Sequence, residues 1–182
     1  MGELLVPPQD IWAEAGDYNR SLYQFVDSTS FPARLLLEPD HLMIKSASIK
    51  DFSEKARAIK DWCQFMAITE VDWRFLLAGH LVVPLTLGRE SKVGWLEIME
   101  SKTSDGTAGH FGAEYAQFYY PDFGHAAKLI KDKRIPFKVR RDSRQRWLDI
   151  QMNEQGQGLR VGNTRIVDVL RDQISSGEAK II

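Results

Sequence analysis

The order in which the apolar period changes along the chain constrains its fold most. Between residues 40 and 102 an extended run is followed by a helical run and three further extended runs. The same order returns between residues 112 and 163. In the first stretch His41-Leu42-Met43-Ile44-Lys45 reads as a strand, and Ile49, Phe52, Ala56, Ile59 and Trp62 recur at helical spacing. Asp51 and Glu54 sit in that helix's first turn, where its dipole favours negative charge. The helix is expected to end near Phe65. Strands are then expected over Met66 to Leu77, Leu81 to Leu87 and Val93 to Met99. Pro84 implies an edge or a bulge in the second of them.

The polar, glycine-rich segment from Ser101 to Gly112 divides the chain. Beyond it, Glu114 to Tyr120 reads as a strand, and Phe123, Ala126, Ala127, Leu129 and Ile130 mark a helix. Pro136 to Arg140, Arg146 to Met152 and Gly158 to Val161 read as three more strands, with Asn153-Glu154-Gln155-Gly156 as the last hairpin turn. Ahead of both halves, Trp12, Tyr18, Leu22, Phe25 and Val26 fall on one helical face, which Asp27 to Ser30 and Pro32 terminate. Ile166, Val169, Leu170, Gln173 and Ile174 form a closing helix.

A helix covering one face of a four-stranded sheet leaves the other face to a partner or a ligand. The expected class is therefore α+β: two βαβββ modules with curled mixed sheets around a shared cleft, plus an N-terminal helical segment. Residues 1–182 form one domain on this reading, with the N-terminal segment at 9–30 and the modules at 40–102 and 112–163. The C-terminal helix falls at 164–176.

Composition narrows the function classes. Apolar residues make up 43% and charged residues 27%, which suits a folded globular chain rather than a disordered one. A net charge of −1 argues against general attraction to nucleic acid. Cys63, the single cysteine, suits a reducing compartment. No apolar run approaches the roughly 18 residues of a membrane helix, and the first residues lack a signal-peptide pattern, so a cytoplasmic protein is expected.

Four segments in order carry a family resemblance. They are Asp40-His41-Leu42-Met43-Ile44, Trp95-Leu96-Glu97-Ile98-Met99-Glu100, Gly112-Ala113-Glu114-Tyr115-Ala116-Gln117-Phe118 and Arg165-Ile166-Val167-Asp168-Val169-Leu170. With them the chain resembles the vicinal oxygen chelate superfamily of glyoxalases, extradiol dioxygenases and related isomerases, and more narrowly its YecM-like branch. The resemblance implies a divalent metal (Zn, Fe, Mn or Ni) in the cleft. His41 and Glu100 would be its ligands from the first module, and Tyr115 a third ligand or an acid/base group. The fourth position falls at Gly162, which offers no donor.

Each candidate has a plainer alternative. His41 could equally be a hydrogen-bonded histidine at a strand start, and Glu100 a solvated strand-end charge. Tyr115 and Gln117 share a strand face with Tyr119 and either line a pocket or form an ordinary sheet face. Arg74 with Trp73 and Trp95 could bind an anion, since guanidinium matches carboxylate and stacks on rings; the alternative is a core with a solvated arginine. Lys131 to Arg146 holds eight basic residues against two acidic ones and reads as a charged strand pair on the surface, so nucleic acid is not the expected partner. His125 lies in the second module's helix, on a segment expected to be largely exposed. His80, His110 and His125 show no ligand spacing, and Cys63 is expected to be buried and inert.

Two functions compete on these grounds. The first is a metal-dependent isomerase, lyase or dioxygenase-like enzyme acting on a small oxygen-rich anion, with Arg74, Trp95 and Gln117 as substrate contacts. The second is a non-catalytic small-molecule or protein-binding module with a degenerate metal site. Either would work as a monomer or homodimer, without a membrane.

Overall fold

The computed structural model describes residues 9–46, 54, 57, 75–77, 80–87, 92–99 and 112–181. Of the helix expected from Ile49 to Phe65 only positions 54 and 57 are described, and both are helical. Cys63, Arg74, Glu100 and His110 lie outside the described residues.

The chain opens with α1, Gln9–Thr29. Its apolar stripe buries Ile11, Tyr18 and Leu22, spaced by whole helical turns. The Ser28 and Thr29 hydroxyls turn back onto the Phe25 carbonyl, Ser30 takes a left-handed φ of 53°, and Pro32 follows. A short 3-10 turn, Ala33–Leu36, buries Leu35 and leads into the sheet.

Among the described residues nine strands follow: β1 Pro39–Lys45, β2 Phe75–Leu77, β3 His80–Leu87, β4 Lys92–Met99, β5 Gly112–Tyr119, β6 Lys138–Arg141, β7 Arg146–Gln151, β8 Gly158–Gly162 and β9 Ala179–Ile181. Helix α2, Phe123–Asp132, lies between β5 and β6, and α3, Ile166–Ser175, between β8 and β9. The strands form one open mixed sheet in the order β6-β7-β8-β5-β1-β4-β3-β2-β9. β1 runs parallel to β4 and β5 parallel to β8, while every other described pairing is antiparallel. The fold is thus α+β with an N-terminal helix.

Local chemistry accounts for the boundaries. β2 pairs with β3 only at His80 to Val82, so at Pro84 that side of β3 meets no strand among the described residues. On its other side Pro84 stands in register with Trp95 of β4. The β7–β8 hairpin turns at Asn153 to Gly156, where Gly156 supplies a φ of +86°. The Asn153 amide grips both the backbone N–H and the side chain of Gln157.

At the end of α3, Gly177 takes a φ of +79°. Its N–H reaches the Ile174 carbonyl and that of Glu178 the Gln173 carbonyl, the paired bonds of a Schellman stop. The chain then enters β9, a strand outside the sequence expectation, which pairs with β2. Arg144, in the β6–β7 turn, bonds Asp172 and Glu178 and so ties one margin of the sheet to the segment that feeds the other.

The two faces of the sheet differ. On one, Leu42, Ile44, Ala113, Ala116, Phe118, Leu148, Ile150, Leu159 and Val161 form a single apolar core with Ile11, Tyr18 and Leu22 of α1 and Ala126 and Ile130 of α2. Burying such a large side chain contributes roughly 1.5–3 kcal/mol. Tyr18 also fixes the docking of α1. Its hydroxyl accepts from the Ala116 amide at 2.8 Å and donates to the Gly158 carbonyl at 2.6 Å, bridging the parallel strands β5 and β8. Burial pushes the Tyr18 phenol well above its ordinary value, although the Ala116 hydrogen bond and the Arg160 charge pull the other way.

The opposite face carries the alternate residues of the same strands, including His41, Tyr115, Gln117, Trp147, Asp149 and Arg160. Polar side chains gather there. Among the described residues no helix is long and apolar enough to cross a membrane.

Candidate functional site

Regular strand geometry would turn Asp40 and His41 to opposite faces. Here Pro39 faces Phe118 and His41 faces Gln117, so Asp40 is the extra residue of a β-bulge. The bulge lets both side chains act together. The Asp40 carboxylate lies 2.8 Å from His41 Nδ1 and accepts the Ile166 amide of α3 at 3.0 and 3.2 Å. Asp40 is 3% exposed and His41 5%.

A carboxylate accepts hydrogen bonds, so Asp40 favours a proton on Nδ1, and in the neutral imidazole the lone pair then falls on Nε2. The N-cap residue of α3, Arg165, makes no side-chain cap bond of its own. Asp40 takes that role from far away in sequence, and the helix dipole favours its charge. In the sequence Asp40 stands out only as a neighbour of His41. No periodicity announces a bulge, and the adjacent Asp-His pair was the one available signal.

A row of polar residues extends from His41 across the sheet. In register, His41 stands opposite Gln117, Gln117 beside Arg160, and Arg160 opposite Asp149. Gln117 is buried and donates to the Thr164 carbonyl at 3.3 Å. The Tyr115 ring meets the His41 ring edge-on at 5.5 Å between centroids. Its face carries the Arg160 guanidinium, whose central carbon is 3.5 Å from the ring centroid. Trp147 flanks the same guanidinium at 5.3 Å, and Asp149 Oδ1 lies 3.4 Å from Arg160 Nε.

Of the residues expected at the site, the fold brings His41, Tyr115 and Gln117 together. The backbone of Trp95 in β4 pairs directly with His41. Arg74 and Glu100 fall outside the described residues. Arg160 is near Gly162 in sequence, but nothing in the sequence aims it at the site, because its direction depends on the β5–β8 register. His125 is half-buried rather than exposed, with Nδ1 2.9 Å from the Tyr120 hydroxyl. The basic stretch is largely a surface feature: β6 is exposed throughout, Arg140 lies 3.7 Å from Asp149, and Arg144 is held by Asp172 and Glu178.

The donors meet a metal's needs only in part. A carboxylate behind a histidine is the outer-shell arrangement that orients imidazole ligands, and Asp40 supplies it for His41. Gly162 is a different matter. A Cβ built there would lie 2.8 Å from Gln117 Nε2, so the Gln117 amide fills the space of the missing fourth donor. Among the described residues no three His, Cys, Asp or Glu side chains gather into a metal-binding group. A metal reading therefore requires Glu100.

Comparisons with known proteins bear on the fold. No family model matches the chain, and no curated protein matches it by sequence. A solved structure described as Protein EC4020, from structural genomics, superposes with a TM-score of 0.59 at 12% identity and covers 91% of this chain and 92% of its own. That likeness extends to the whole fold and says nothing of chemistry. Methylmalonyl-CoA epimerase from Mycobacterium tuberculosis gives a TM-score of 0.41 at 12% identity over 72% of this chain and 91% of its own. The halotolerant catechol dioxygenase BphC gives 0.35 at 10% identity over 68% and 39%. Both values are too low to carry an argument.

Proposed function

We propose that the chain is a protein of the vicinal oxygen chelate type, of the YecM-like branch, with two βαβββ modules at 40–102 and 112–163 curled round a common cleft. The strand pairing supports this reading. β1 is parallel to β4 with β3 and β2 outside it, and β5 is parallel to β8 with β7 and β6 outside it. The Arg144 ties near β9 favour a curled sheet over a flat one.

The polar face of the sheet is the ligand face on this proposal, and its occupant is a small oxygen-rich anion. His41 and Glu100 hold a divalent metal, with Tyr115 as third ligand or acid/base group and Arg74, Trp95 and Gln117 as substrate contacts. A metal would supply Lewis-acid stabilisation of an oxyanion. Gln117 positions and donates, and Asp40 keeps the lone pair of His41 on Nε2. The buried Asp40–His41 pair is the observation that carries the proposal.

The packing of Gln117 over Gly162 favours a second reading, a module that binds a small molecule without bond chemistry. Metal analysis of protein purified without chelators separates the two. Stoichiometric metal, lost in both His41→Ala and Glu100→Ala, supports the enzyme. Native protein without metal, or both variants retaining it, counts against the enzyme.

A further inference from the structure

We propose that Arg160 is the anion receptor of the polar face and takes a carboxylate group of the ligand. This deepens the reading of that face as the ligand face, but it needs no metal. Three features single Arg160 out among the described arginines.

First, its guanidinium packs on two rings, its central carbon 3.5 Å from the Tyr115 centroid and 5.3 Å from that of Trp147, which restricts its motion before a ligand arrives. Second, Asp149 engages it through Nε, and no hydrogen bond joins its terminal nitrogens to another described residue. The paired terminal N–H groups are the edge that grips a carboxylate with two parallel bonds. Third, Asp149 also lies 3.7 Å from Arg140 Nε, so one carboxylate is shared by two guanidiniums and the cluster keeps an excess positive charge.

The position suits a ligand that also reaches His41. Arg160 lies two strands from His41 on the same row, about 10 Å away at ordinary strand spacing. The Tyr115 ring touches both groups. A small molecule with a carboxylate at one end and further oxygens at the other spans that gap. The Arg160 side chain is 25% exposed, so a ligand can reach it while the rings shield it from most solvent. A guanidinium in that setting binds anions more strongly than an open surface arginine does.

The test is calorimetric titration of sodium malonate into the protein at low ionic strength with EDTA present, against a sodium chloride control of equal ionic strength. Native protein is expected to bind malonate in excess of the chloride control, and R160Q to bind at least tenfold more weakly. R160K, which keeps the charge and loses the fork, is expected to fall in between. D149N is expected to tighten binding severalfold because the competing carboxylate is gone. Circular dichroism checks the fold of each variant, and if R160Q does not fold, R160K and D149N decide. Absence of malonate binding by native protein overturns the assignment, as does native-like affinity in R160Q, or in both R160K and D149N. Because EDTA removes metal, loss of the metal reading alone leaves these results unchanged.

Discussion

Replacing Asp40 by Asn and by Ala separates its two jobs, holding α3 and setting the His41 tautomer. In Asp40→Ala the Ile166 amide and His41 Nδ1–H, both bonded to a carboxylate that is 3% exposed, lose their acceptor. Each buried donor left unpaired costs roughly 1–3 kcal/mol, so the variant should lose about 2–6 kcal/mol, less whatever is regained by no longer burying a charge. Asp40→Asn is milder. Its amide oxygen still accepts from Ile166 while its NH2 turns to His41, so the loss should be nearer 1 kcal/mol.

The imidazole must then accept at Nδ1 and carry its proton on Nε2. That is the tautomer that cannot ligate through Nε2, and outer-shell changes of this kind typically lower metal affinity about 10–100-fold. Urea unfolding reads the stabilities, and 15N-detected correlations of the imidazole read the tautomer. A neutral native imidazole protonated on Nε2, or an Asp40→Ala variant within about 0.5 kcal/mol of native, the range of ordinary surface substitutions, would mean that Asp40 does neither job.

Two further perturbations probe the frame around the site. Tyr18→Phe removes the hydroxyl between Ala116 and Gly158 and should cost about 2 kcal/mol in urea unfolding. Since burial raises the Tyr18 phenol, the folded state holds this proton to higher pH than the unfolded state. Native stability should therefore be full below about pH 10 and fall as pH rises beyond it, a slope that Tyr18→Phe reduces. Gly162→Ala pushes a methyl group against Gln117 Nε2 and should cost about 1–3 kcal/mol, most of it recovered in the Gly162→Ala/Gln117→Ala double variant. Equal costs with and without Gln117 would mean that the crowding lies elsewhere.

The sequence carried the elements far better than the contacts among them. β1, β3, β4, β5, β7, β8 and the helices α1 to α3 announce themselves by period and by Gly, Pro and Asn at their ends. β9 did not, because a strand of three residues has no measurable period. Its only forewarning was Ser-Ser-Gly at 175–177 ahead of Ala-Lys-Ile-Ile. Tyr115 and Gln117 were placed on one face by simple alternation, and the register then set Gln117 opposite His41. Asp40 escaped because alternation predicts the opposite face for it, and only the bulge reverses that. Arg160 escaped for a related reason. Its stacking on Tyr115 depends on which residue of β8 lies beside which residue of β5, and parallel strands joined through a helix and two further strands leave no local mark of that choice.

The central proposal is that the polar face gathers a metal around a histidine held from behind by a carboxylate. Crystals of protein purified without chelators, measured at transition-metal absorption edges, test it most directly. An anomalous peak is expected about 2.0–2.2 Å from His41 Nε2, at ligand distance also from the Glu100 carboxylate. A map with no such peak at His41, from protein that has never met a chelator, would contradict it.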